Sequence, residues 1–392
     1  MSNKKIFFTL FLAVLVTTTG VGLVAPLLPV YAHELGAGSF QIGLIFGAFS
    51  LTRSLFVPYF GRLSDRKGKK NLLSAGLFLY FITALLFAAS KDIQTLLLLR
   101  LAQGFSSAMI LPVAQAYVGN ISPEHEEGKT MGLFNLSLYI GLSLGPLLGG
   151  VVKDLFNIRV SFLCMAAMTF AGFLLCLLLL PHEPVSGKKN SGVKKVELIP
   201  YLKLIRGPSN LSLFFFRLCF TICIGITWTF VPLLASTRLG LSSSAIGVVI
   251  MINVLVAGLL QAPMGILADK YSKKFLVTAG GVLGIISVLY LNVASSFAGV
   301  FFANALLGLA GGFAIPSIMA LGVIEGRRIN AMGAMMGFLA MAHSLGMLVG
   351  PLLAGALLDI SSFEAVFSLG AVIMGIGTIV FRCYSNVQEA PK

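Results

Sequence analysis

Four side chains that carry a charge or can take up a proton stand well inside apolar stretches of this chain: Arg53, Arg100, Arg217 and His343. Ionisable groups within hydrocarbon are costly and mark binding sites or ion paths by default. The imidazole of His343 changes charge near neutral pH, which suits it to carrying a proton. All fourteen Asp and Glu fall instead in connections or at the ends of apolar stretches, among them Glu34, Asp65, Asp154, Asp269 and Asp359. The interior is therefore expected to be electropositive, favouring anionic or neutral amphiphiles over lipophilic cations. Gln103, Tyr139, Trp228 and Asn253 lie on the same kind of stretch and complete the candidate set. Each candidate has a structural alternative as well. Arg217 can snorkel to the surface from about 12 Å inside its stretch, and Arg53 can serve carbonyls or phosphates. His343 can be a packing histidine, and Trp228 an interfacial anchor.

The elements that position these residues follow from composition. The 392 residues are 57% hydrophobic and 11% charged, against roughly 25% charged in a soluble domain. Apolar stretches of spanning length fall near 6–31, 41–60, 71–90, 95–117, 131–152 and 160–180, then near 210–235, 245–264, 275–294, 297–322, 331–357 and 364–382. They are numbered spans 1 to 12. The fold expected is an all-α polytopic membrane protein of twelve helices in two six-helix bundles, residues 1–180 and 210–392. A polar connection at 181–209 joins them, with a short interfacial helix near 197–205. Lys4 and Lys5 before an apolar run imitate a signal peptide, but no small-residue cleavage site follows, so the run reads as an uncleaved first helix.

The net charge of +14 would suggest nucleic acid in a soluble protein; here its distribution sets topology. Placing both termini in the cytoplasm puts most of the 28 Lys and Arg on cytoplasmic segments of an inner-membrane protein. Cys164, Cys176, Cys219, Cys223 and Cys383 read as buried small hydrophobes, Cys383 excepted, with no metal spacing.

The halves repeat in register. Gly36, Gly43, Gly61, Asp65, Gly104 and Pro112 recur 204 residues later as Gly240, Gly247, Gly265, Asp269, Gly308 and Pro316. Gly141, Gly145 and Pro146 recur 205 residues later as Gly346, Gly350 and Pro351. Two parallel repeats imply a site at the midplane between them, with alternating access by rocking.

Three motifs sit on this framework. Gly61-Arg-Leu-Ser-Asp65-Arg66-Lys-Gly68-Lys69-Lys70 joins spans 2 and 3, and Gly265-Ile-Leu-Ala-Asp269 opens its second copy, with Ser272 where the first has Gly68. Arg100-Leu-Ala-Gln103-Gly104 lies in span 4. Gly141-Leu-Ser-Leu-Gly145-Pro146-Leu-Leu-Gly149-Gly150 lies in span 5, echoed in span 11 through Gly350 and Pro351, with Ala354 in place of one glycine. Together these resemble the major facilitator superfamily, and within it the twelve-helix drug:proton antiporter branch. The resemblance implies that spans 1, 2, 4, 5, 7, 8, 10 and 11 line the cavity, which holds all four interior charges. It implies that Asp65 caps span 11 and latches the outward-open state, with Gly61, Arg66, Gly68, Lys69 and Asp269 in the same loops. It also associates Arg100 with proton coupling and the span 5 motif with antiport. Many members of the branch use a mid-membrane carboxylate, which is missing here. The coupling proton then falls to His343, or to a peripheral acid such as Asp65 or Glu34.

The function expected is proton-coupled efflux of a small amphiphile by a single chain in contact with membrane lipid. Uptake by symport and flipping of a lipid-linked anion are the alternatives. No nucleophile–base pair, metal spacing or phosphate-binding loop supports an enzyme, a cofactor, a metal or ATP drive.

Overall fold

The computed structural model describes residues 3–123, 127–181, 207–328 and 332–385. Among these residues all regular structure is helical, and twelve stretches are long and apolar enough to cross a membrane. Span 1 comprises Asn3–Val24 and Leu27–Glu34, span 2 Ser39–Lys67, span 3 Lys69–Ala89, and span 4 Ile93–Ser107 with Leu111–Ile121. Span 5 is Glu127–Leu155, span 6 Ile158–Leu179, span 7 Pro208–Thr237, span 8 Ser243–Lys270 and span 9 Lys273–Tyr290. Span 10 is Phe297–Arg328, span 11 Met332–Ile360 and span 12 Phe363–Tyr384. The interfacial helix expected near 197–205, and all of the 181–209 connection except its two ends, lie outside the described residues.

Several helices overrun their apolar stretches. Span 2 continues to Lys67, span 5 starts at Glu127 and span 10 runs to Arg328. Hydropathy marks the hydrocarbon slab, whereas the helix continues into the polar zone until a cap or turn ends it. Spans 1 and 4 are broken where the sequence supplies a proline, Pro26 in the first and Pro112 at the start of the second piece of span 4. Each proline lacks the N–H that a continuous helix needs there. Asp92, Asn157, Ser242, Ser272 and Ser362 start spans 4, 6, 8, 9 and 12 by accepting a backbone N–H three residues on. Gly36 and Gly240 close equivalent turns at φ 85° and 59°, a region that glycine occupies without steric cost.

Spans 1–6 pack among themselves, as do spans 7–12. The bundles meet where span 5 lies along span 8 and span 11 along span 2, and where Leu27–Glu34 touches span 7. Spans 3, 6, 9 and 12 make their substantial contacts within their own bundle. The side bearing Asn3 and the connection between bundles is the linker side, and the other is the far side. Toward the far side a Cβ on Gly43 would overlap the carbonyl of Pro351, and one on Gly247 that of Pro146. On the linker side Gly61 and Gly265, near the ends of spans 2 and 8, have no neighbour within 4 Å of an added Cβ. Among the described residues the bundles meet backbone to backbone on the far side, while Gly61 and Gly265 make no such contact on the linker side.

Candidate functional site

The repeated glycines bring backbones into contact. An added Cβ at Gly145 would lie 2.6 Å from Gly22 Cα, and one at Gly149 would overlap the Leu23 carbonyl, so span 5 rests directly on span 1. In the second half Gly350 meets the Ile222 carbonyl, and Pro351 packs 2.8 Å from a Cβ built on Gly225, so span 11 rests on span 7 in the same way. Small residues allow this approach where the lipid supplies no hydrophobic drive between helices.

Four candidate side chains converge between the bundles, two from each. Arg217 of span 7 places Nη2 3.4 Å from Nδ1 of His343 on span 11. A guanidinium only donates, so this is a hydrogen bond when Nδ1 carries no proton. Arg217 Nε is buried without a partner, leaving a donor to spare. Tyr139 of span 5 lies within electrostatic range of Arg217, and its ring packs against Gly258 of span 8, where an added Cβ would stand 3.1 Å from the ring. Arg53 of span 2 lies within range of His343 and stacks 5.9 Å from the Phe49 ring centre. None of the salt bridges among the described residues involves any of these four. The arrangement is a partly shielded positive centre with hydrogen-bond donors available to a ligand.

The structure places Arg100 and Gln103 elsewhere. Both are buried in the first bundle between spans 2, 4 and 6. Arg100 Nε donates to the Ile45 carbonyl at 3.2 Å and Nη1 to Gln103 Oε1 at 2.8 Å. The guanidinium lies 5.3 Å from the Phe46 and 4.9 Å from the Phe49 ring centres, and Gln103 reaches Met165 Sδ at 3.8 Å. Through Nε and Nη1, both engaged on the bundle's own groups, Arg100 ties span 4 to span 2. Trp228 is turned into the second bundle, its Nε1 donating to Asn253 Oδ1 at 3.4 Å, while Asn253 donates to the Asn304 carbonyl at 3.3 Å.

Of the acids named for proton coupling, Glu34 is ion-paired to Lys153 at 2.8 Å on the far side, away from the cavity. The side chains of Asp65, Arg66 and Asp269 lie outside the described residues. Gly68 turns the chain between spans 2 and 3 at φ 87°, and Lys69 is buried at the head of span 3. Ser272 replaces that left-handed turn with an ordinary N-cap at φ −61°. No group of three or more metal-ligating side chains occurs among the described residues. Sequence reasoning did not single out Lys70, whose ammonium donates to the Leu180 carbonyl at 2.5 Å, or Glu325, buried beside Arg328 at 3.3 Å. Nor did it assign partners to Asp154 and Asp359, whose contacts join residues far apart in the chain.

Residues 10–323 and 213–392 match the sequence model of the Major Facilitator Superfamily. The chain belongs to that superfamily. Among its superfamily relatives are an uncharacterized MFS-type transporter of Methanocaldococcus jannaschii, 27% identical over 95% of this chain and 97% of that one. The quinolone resistance protein NorA of Staphylococcus aureus is 27% identical over 97% of both chains. Among solved structures the nucleoside transporter NupG superposes with a TM-score of 0.82 at 15% identity, over 97% of this chain and 99% of that one. A bacterial homolog of the human lysosomal transporter Spinster, inward-facing and unoccupied, also gives 0.82 at 14% identity, over 100% and 99%. The protein is thus a twelve-span MFS transporter and not an enzyme.

Proposed function

We propose that this transporter exports a small neutral amphiphile from the cytoplasm by alternating access, using proton entry across the cytoplasmic membrane. The observation that carries the reading is the Arg53, Arg217 and His343 cluster, which faces Tyr139 and holds no carboxylate among the described residues. Likeness to NorA over nearly the whole chain supports export. The distribution of Lys and Arg supports a cytoplasmic linker side, and with it cytoplasmic termini. The fold likeness to a structure described as inward-facing agrees with an opening on that side. Monomeric action and lipid contact around the bundles belong to the same reading.

His343 is the proton carrier in this scheme, and the contact with Arg217 makes substrate charge and coupling sense interdependent. A proton on Nδ1 ends the hydrogen bond to Arg217 and adds positive charge beside two guanidiniums. A neutral substrate that donates to the free Nδ1 competes with that proton, which is the logic of antiport. An anion is held better once the proton has bound, which is the logic of symport, so uptake of an anion is the second reading. Neither requires Arg100 in the cavity.

Proteoliposomes with an imposed pH gradient, assayed by counterflow against neutral, anionic and cationic amphiphiles, test both. Neutral substrates should move against the proton gradient, and Arg217→Gln should reduce transport at least about tenfold, equivalent to one charged hydrogen bond. Vigorous proton-driven export of lipophilic cations that survives His343→Ala would sink the proposal.

A further inference from the structure

The far side is closed by two carboxylates that reach across from one bundle to the other. Asp154, in the last turn of span 5, accepts the backbone N–H of Ser243 on Oδ1 at 2.9 Å and that of Ser244 on Oδ2 at 2.7 Å. The Ser244 hydroxyl adds a third bond to Oδ2 at 2.6 Å. These are the first free N–H groups of span 8. Asp359, in the last turn of span 11, does the same to span 2, taking Ser39 N–H on Oδ1 at 2.7 Å and Phe40 N–H on Oδ2 at 3.0 Å. Asp359 follows Asp154 by 205 residues, and Ser243 follows Ser39 by 204, so each contact is the other's image under the repeat. Each sits over a close backbone crossing, Gly150 on the Ser243 carbonyl and Gly355 on the Ser39 carbonyl.

We infer that Asp154 and Asp359 are paired positioning residues that bolt the far side shut and set the balance between the two access states. Carboxylates on helix N-terminal N–H groups form charge-assisted bonds favoured by the helix dipole. Opening the far side must break both sets together, because spans 2 and 8 leave the opposite bundle as the halves rotate. Other charged far-side contacts, Glu34 with Lys153 and Arg238 with Glu364, lie within one bundle and are carried along intact. The inference holds whatever the substrate and coupling ion.

The test is a distance measurement on the full chain in lipid nanodiscs, with the five native cysteines replaced. Spin labels go on Lys91→Cys and Ser295→Cys for the far side, and on Asn71→Cys and Phe275→Cys for the linker side. All four positions are exposed, and each pair is related by the 204-residue repeat. Asp154→Ala with Asp359→Ala should lengthen the far-side distance and shorten the linker-side one. The ratio of far-side-open to far-side-closed molecules should rise at least about tenfold, with each single change giving less. Glu364→Gln should move neither distance. Asp154→Asn with Asp359→Asn keeps shape and one acceptor while removing the charge, and should shift both distances the same way by less. Should the alanine pair not fold, the asparagine pair decides. Unchanged distances in a monodisperse double variant overturn the inference, as does an equal shift from Glu364→Gln.

Discussion

Spans 2 and 4 cross in the first bundle as spans 8 and 10 cross in the second, and the chemistry at the two crossings differs. A Cβ on Gly104 would overlap Thr52 Oγ1 and the Phe49 carbonyl; one on Gly308 would stand 2.6 Å from the Asn253 carbonyl. Phe49 and Asn253 are repeat mates, as are Arg100 and Asn304. A cation–π pair at the first crossing is thus matched at the second by the Asn253 side-chain amide donating to the backbone carbonyl of Asn304. Asn304 Nδ2 closes on its own helix at Val300, and its Oδ1 is buried without a partner. The backbone geometry that lets helices move as rigid bodies is kept in both halves. Side chains laid over it diverge, so at this crossing a buried charge serves as a strut in the first half, while the second half has neutral amides in its place.

The sharpest way to break the comparison is at the glycines. Gly104→Ala should cost about 3 kcal/mol or more by overpacking against backbone, and Gly308→Ala somewhat less. Thermal unfolding followed with a thiol-reactive dye would show it, since Cys176, Cys219 and Cys223 are buried. Next comes Arg100→Met, expected to cost about 2.5 kcal/mol because the Ile45 carbonyl and Gln103 lose a charged donor. Asn304→Ala should cost about 1 kcal/mol in the same assay. A transplant sharpens the contrast further. Asn304→Arg alone should destabilise, and adding Asn253→Phe should recover about 1 kcal/mol, a coupling that a double-mutant cycle isolates. Trp228→Phe should be the smallest, about 0.5 kcal/mol for one hydrogen bond to Asn253 with the ring retained. Equal losses for Arg100→Met and Asn304→Ala would erase the distinction between the crossings.

Span number, the repeat and the glycine contacts of spans 5 and 11 are legible in the sequence because each depends on local composition or on a fixed offset. Identifying Arg53, Arg217 and His343 as interior charges needs only their position in an apolar stretch. Their orientation is another matter. Arg100 stands as deep as Arg217, yet faces Ile45 and Gln103, because rotation of a helix about its axis is set by neighbours that hydropathy does not name. Trp228 looked as suited to the lipid interface as to a ligand, until Asn253 across the bundle supplied its partner. Asp154 and Asp359 read as ordinary helix-end acids, since their partners lie 89 and 320 residues away in the chain.

The crossings of Gly43 with the Pro351 carbonyl and of Gly247 with the Pro146 carbonyl also define a fulcrum. Gly43 stands about 6 Å along the helix from the head of span 2 and about 36 Å from its tail, at 1.5 Å per residue. Span 8 is divided by Gly247 in nearly the same proportion. Each is therefore a lever with one short arm and one long arm, and turning about that point multiplies a shift of about 1 Å at the head into roughly 6 Å at the tail. Parting the heads by the width of a broken hydrogen bond on one face thus closes, on the other, a gate scaled to a whole substrate.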